Sequence, residues 1–528
     1  MKKLLSFALT LALLLTCMSA FAENADDFVY PMEGNPTVSW YINEGYTPND
    51  AYASAEDSPF HTGLREMTGV NIEWSYPTAG TDAAQALNTL LASPKLPDII
   101  FANIMIDAER HMDEGTIIDL TPYIQEHAPN YWKWLQSNPA YDKAMKTDSG
   151  KYYGFGFFRE DGGWNDAYQG PVIRKDWLDA CGLEIPKTIS ELENVLRTFK
   201  EKYNATFSYS HSVRFHPIGL AGAFGAHAGS GKDLNFTYYV DENDKVQFGP
   251  AQPEWLAYVL KLQEWWKEGL LDQDVFTLDD TQAKAKALNG DMGVSYTSMG
   301  QMSNWAKEAE AAGNGAQWIG FETPTGDDGT LATTFGGPGI GSVTACISGD
   351  CPEEMIPTVM RLLDYAYTDE GFLYWNYGKQ GVSWDYNADG EVEYLPLVSE
   401  DPDGLNDAIS KYGGSTWSGC CVQATRMLYL KNTPISIEAN NTWFYQMDAK
   451  VAGKDRLPIG ITMTAEESDE VANYEAAIST YVQEMYAKFV TGSATEADWA
   501  AHLESLESMG LSKSLEIRQA AYDRYLAR

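Results

Sequence analysis

Histidine and cysteine, from which metal centres and nucleophilic triads are built, are scarce in this chain: seven and six residues among 528. No HExxH or GxSxG is present, nor a Walker phosphate loop, since Gly231-Lys232 is followed by Asp233 where such a loop needs serine or threonine. His211 and His216, either side of Arg214, read as polar surface. Cationic residues are also few, with 37 Lys and Arg against 75 Asp and Glu and a net charge of −38. That field repels nucleic acid and anionic lipid, and neither is expected as a partner. After residue 15 no apolar run approaches the ~20 residues that cross a bilayer.

Cysteine usage excludes a disulfide scaffold. One of the six, Cys17, lies in the amino-terminal apolar segment, and the other five stand at irregular spacing. Cys346 and Cys351 flank a Ser-Gly-Asp turn, and whether they pair stays open. Adjacent Cys420 and Cys421 lack CxxC spacing, so no metal is assigned to them. Asp385, Asn387 and Asp389 match the start of an EF-hand-like calcium loop, but its twelfth position is Pro396 in place of a bidentate glutamate. A hairpin turn is expected there, with calcium the competing reading. No cofactor is expected.

What is present begins with a leader. Lys2 and Lys3 precede an apolar run over residues 4–15, and Ala20-Phe21-Ala22 supplies the small-x-small cleavage pattern. Residues 1–22 therefore read as a secretory signal, with the exported chain starting at Glu23. Lipid attachment at Cys17 is the competing reading, for which Thr16 is a poor fit.

The remaining length is too great for one core and predicts two large lobes. Strand, helix and strand signals alternate over 37–41, 59–68 and 70–74. A helix capped at Thr81-Asp82 and a strand over 98–102 follow, giving an α/β unit with a largely parallel sheet. The rhythm restarts with a strand over 170–174 and a helix over 175–181 stopped by Gly182. Thr188 and Glu191 then form a capping box. A hairpin about 241–245, a helix over 253–268 and a strand over 292–296 come next, and the last eighty residues read as helical from Thr464 and Glu467 onward.

Aromatic side chains are abundant, with 16 Trp, 31 Tyr and 20 Phe. Many belong to the core, but rings at strand ends and in glycine-rich crossovers line clefts in open α/β sheets. Trp40, Trp164 and Tyr296 hold such places. A flat ring stacks on a sugar face, and neighbouring Asn, Asp, Glu and Arg side chains bond its hydroxyls. Glu160 and Asp161 could also serve as a glycosidase pair, but among 75 acids such a pair carries little weight.

Several segments together resemble the extracellular solute-binding proteins of ABC importers, in the carbohydrate-binding family 1 group of long oligosaccharide-binding type. They are Leu96 to Ala102 (LPDIIFA), Gly115 to Pro122 (GTIIDLTP), Gly150 to Gly154 (GKYYG), Ile173 to Leu178 (IRKDWL) and Ala520 to Tyr525 (AAYDRY). The resemblance implies a periplasmic-binding-protein-like α/β fold of two lobes joined by hinge crossovers, with ligand held between them. Lobe one would take 35–155 and 293–340, and lobe two 160–290 and 345–528. The implied protein is a monomeric, non-catalytic binder that delivers an oligosaccharide to the permease subunits and meets the membrane only through them or a lipid anchor. Its expected ligand contacts are Trp40, Asn43, Asn103, Arg159, Glu160, Trp164 and Tyr296. A secreted glycosidase or lyase and a peptide binder of the same fold are the alternatives.

Overall fold

The computed structural model describes residues 29–43, 52–78, 80–159, 168–209, 218–228, 238–332, 339–402, 404–415, 419–424, 433–450 and 457–528. The leader and its cleavage site lie outside them. The first sheet holds β1 (Thr37–Ile42), β2 (Asn71–Ser75) and β3 (Ile99–Ala102), with β1 central and parallel to both neighbours. Between β1 and β2 the helix Pro59–Thr68 starts at Pro59 behind the Ser58 cap and ends on Gly69 in the left-handed region (φ 72°). The helix Ala83–Leu91 starts where the Asp82 carboxylate accepts from the backbone N–H of Ala84 and Gln85.

The second sheet holds β4 (Gln169–Arg174), β5 (Thr206–Ser208), β8 (Met292–Ser298) and β9 (Trp318–Gly320) in the order β5-β8-β4-β9; β6 (Tyr238–Val240) and β7 (Val246–Phe248) form a separate hairpin. Here β4 runs antiparallel to both β8 and β9, and β5 is parallel to β8, so this sheet is mixed. The helix Ile189–Tyr203 opens with the expected Thr188/Glu191 capping box, and Pro253–Glu268 ends on Gly269.

Two strands correct the expected division of the chain. β8 pairs with β4, and its Val294 and Tyr296 pack against the helices of the second sheet, so residues 293–298 do not return to the first lobe. β10 (Thr344–Ile347) instead lies antiparallel on β3 and completes the first sheet in the order β10-β3-β1-β2. An apolar strand carries no local mark of its sheet; long-range register decides it.

The carboxyl-terminal helices Ala465–Thr491 and Leu511–Ala527 pack with β6 and β7 around Tyr238, Phe248, Ile478 and Ala521. Arg518 joins them by a bidentate pair with Glu475, both bonds 2.6 Å, while its guanidinium lies 4.2 Å from the Tyr238 ring centre. Farther along, Arg524 and Arg528 both hold Asp148, on the segment after the helix Pro139–Ala144.

Asp364 makes the first core sensitive to pH. It is fully buried, and its carboxylate accepts from the Tyr131 N–H (2.7 Å) and Asn130 Nδ2 (2.6 Å) at the start of the helix Pro129–Ser137. Burial outweighs these donors and pushes its pKa up to about 7. The folded chain thus keeps a proton that the unfolded chain loses near pH ~4. This stabilisation is fully present below that value and is lost as pH rises through 7. Replacing Asp364 by Asn should flatten the decline by roughly 2–4 kcal/mol, at ~1.4 kcal/mol per unit. Urea midpoints of both proteins at pH 4.5 and 7.5 would check this; equal slopes would refute it.

Candidate functional site

Three segments that link the two sheets along the chain lie side by side, packed into the first core. In the first, Phe155 exchanges backbone hydrogen bonds with Ala345 of the second (2.9 and 3.0 Å), and Phe157 O accepts from Gly341 N (2.8 Å). On the other side Phe158 N donates to Cys421 O (3.0 Å) and its carbonyl accepts from Gln423 N (2.8 Å), which brings in the third segment. Tyr152 through Phe158 are all buried. Glycine is needed between these rings. A Cβ at Gly154 would stand 2.9 Å from Ala345 O, and one at Gly156 would stand 2.5 Å from the Phe158 ring. Tyr131 and Tyr367 donate their hydroxyls to the Gly154 and Gly156 carbonyls (3.0 and 2.7 Å).

Arg159 emerges where the crossovers end. Its Nε donates to Gln423 Oε1 (3.0 Å), its guanidinium stands 5.2 Å from the Phe157 ring centre, and its backbone N–H donates to Gly339 O (2.6 Å). Gln423, nearly buried, also donates from Nε2 to Ser415 O (2.6 Å). The sequence offered no cue to Gln423, because its neighbour is 264 positions away.

The parallel strands place the residues that follow them along one edge. Asn43 after β1 and Asn103 after β3 are brought together there, Asn43 N donating to Phe101 O (2.9 Å). Asn103 is exposed. Asn43 is buried and already spends its amide, donating to Ala83 O (2.9 Å) and accepting from the Tyr41 hydroxyl (3.3 Å).

Two expected platforms are corrected. Trp40 is 1% exposed and stacks on Trp74 with ring centres 5.0 Å apart. Tyr296 is 2% exposed in the second core. Alternation along β1 and β8 turns both rings inward under helices, so neither offers a face to a ligand. Glu160 and Trp164 lie outside the described residues, as do His211, Arg214 and His216.

The remaining candidates resolve as structure. The five described cysteines are free thiols, so Cys346 and Cys351 are unpaired here; burial pushes the Cys346 thiol up to about 12. Residues 384–394 form the antiparallel hairpin of β11 (Trp384–Tyr386) and β12 (Val392–Tyr394), with the Asn387 side chain accepting from Asp389 N and Glu391 N. Among the described residues no three His, Cys, Asp or Glu side chains are grouped as metal ligands.

The recognised segments also prove to be joints. Asp98 accepts from both the backbone N–H and the hydroxyl of Ser39 (2.7 Å each), and Thr121 Oγ accepts from Tyr152 N (3.0 Å). Arg174 pairs bidentately with Asp176 (2.8 and 2.6 Å) while lying 4.1 Å from the Trp177 ring centre.

The model of the bacterial extracellular solute-binding protein family matches residues 50–371. The fructooligosaccharide ABC transporter substrate-binding protein FusA of Streptococcus pneumoniae is 25% identical over 98% of this chain and 97% of its own. The crystal structure of the alginate-binding protein AlgQ2 superposes with a TM-score of 0.78 at 21% identity, covering 94% of this chain and 100% of that one. An HMO-binding, ABC-transporter-associated solute-binding protein from Bifidobacterium longum infantis gives 0.74 at 20% identity, covering 93% and 99%.

Proposed function

Since the chain belongs to the bacterial extracellular solute-binding protein family, we propose that it captures an oligosaccharide outside the cell and delivers it to an ABC permease without chemical change. The observation that carries this reading is the set of three hydrogen-bonded crossovers between two sheets. Such a joint lets two lobes close on a ligand, and the permease would read the closed form whose population the ligand raises. The names of FusA, AlgQ2 and the HMO-binding protein support a glycan as cargo. The charge of −38 favours a neutral glycan over a polyuronate.

In this reading Arg159, oriented by Gln423, and exposed Asn103 bond sugar hydroxyls, and Glu160 and Trp164 complete the site. The protein works as a monomer, exported by removal of residues 1–22, with a lipid on Cys17 as the lesser alternative.

A thermal-shift screen of the chain from Glu23 against fructo-oligosaccharides, alginate fragments and short peptides, with product analysis of each hit, tests the proposal. An intact saccharide should raise the melting temperature, and ligand at 100 times its Kd stabilises by ~2.7 kcal/mol. Stabilisation by peptides alone, or cleavage of the bound glycan, would refute it.

A further inference from the structure

We infer that Tyr76, two residues after Trp74 at the end of β2, forms the first-lobe contact for a neutral sugar, the place that the sequence suggests for Trp40. This rests on the carbohydrate reading above and names a contact and a charge class within it. The register Tyr41↔Ser75 sets Tyr76 immediately past the end of β2, on the edge that carries Asn43 and Asn103. In open α/β sheets this carboxyl edge is where ligands bind.

Both rings are half-buried. Trp74 is held in place by Trp40 behind it and by the His61 ring, edge-on at 4.7 Å. The Tyr76 hydroxyl and the Trp74 indole Nε1 are nevertheless buried without a hydrogen-bond partner, as is Trp40 Nε1 behind them. Buried polar atoms almost always have partners, and the two lacking one on Trp74 and Tyr76, at the carboxyl edge, mark a place prepared for an oxygen. Indole N–H can only donate and a phenol readily does, so the incoming group must accept.

It should also be neutral. The guanidinium acting on Tyr76 is that of Arg65, and it is already spent: Nε and Nη2 donate to Ile72 O, and Nη1 pairs with Glu56. Among the described residues no cation is left over there for a uronate carboxylate, whereas a sugar hydroxyl or ring oxygen satisfies the donors and its apolar face covers the rings.

Calorimetric titration with kestose and with an alginate trisaccharide, on wild type and the variants Tyr76→Ala, Tyr76→Phe and Trp74→Phe, tests this. Wild type should prefer kestose. Tyr76→Ala should weaken kestose binding at least tenfold, and each Phe variant about fivefold, as for one lost hydrogen bond. The melting temperature of the free protein should hold in Tyr76→Phe, which removes an unpartnered hydroxyl, and fall modestly in Trp74→Phe, which loosens the packing on Trp40 and His61. Kestose binding unchanged in Tyr76→Ala overturns the inference and leaves the carbohydrate reading standing. Unchanged binding in both Phe variants assigns the buried donors to water and overturns the hydrogen-bonding role, and preference for the alginate fragment overturns the neutral class. Wild type that binds no saccharide removes the reading itself.

Discussion

Replacing Arg518 by alanine is expected to cost about 3–5 kcal/mol of stability, because it leaves the Glu475 carboxylate buried without its partner. The two side chains are 6% and 13% exposed and joined by two 2.6 Å bonds, and Glu475 also accepts from Ser514 Oγ (2.8 Å). The same substitution removes the guanidinium from the Tyr238 ring and loosens the helices from the β6–β7 hairpin. Urea unfolding followed by circular dichroism would show the midpoint fall. The double replacement Arg518→Met with Glu475→Leu should recover most of the loss, since no charge is then stranded. Lys513→Ala, which breaks the exposed pair with Glu516, should leave the midpoint where it was. A midpoint unchanged in Arg518→Ala would show that the buried pair contributes nothing.

Replacing Gly339 by valine should damage the joint itself. Gly339 sits at φ 67°, and a Cβ there would stand 2.1 Å from Arg159 O. The left-handed conformation alone costs a β-branched residue about 1–3 kcal/mol, and the contact forces the first two crossovers apart. The Arg159 N–H to Gly339 O bond then breaks and Arg159 shifts against Gln423. Lowered melting temperature and at least about tenfold weaker glycan binding, a loss of ~1.4 kcal/mol, are the expected outcome. Wild-type affinity in this variant would show that the crossovers tolerate separation.

Local order was legible wherever its cause was local. Gly69, Gly182 and Gly269 stop their helices, and Thr188 and Glu191 start one, because caps act within a turn. The paired motifs Leu96 to Ala102 and Gly150 to Gly154 were recognisable because they hold strands and crossovers together. Sheet membership was not legible, since β8 and β10 are chosen by partners far off in the chain. The site was the least legible part. Trp40 and Tyr76 are both aromatics near a strand end on the same face of the sheet, and only depth separates them, Trp40 being 1% exposed beside Trp74 while Tyr76 stands past the last residue of β2.

The seating of β10 on β3 also sets a condition on how the molecule can be made. Ile99 to Ala102 must wait for Thr344 to Ile347, 242 positions later for the opposed Ala102 and Thr344, before its outer edge is covered. All of β4 to β9 is synthesised in that interval. Contacts of such separation form slowly, and an uncovered strand edge invites pairing with another chain. The first lobe therefore cannot finish ahead of the second as an independent unit, and the order of synthesis leaves its sheet open longest. Until β10 arrives that edge needs protection, by a chaperone or by the speed of folding.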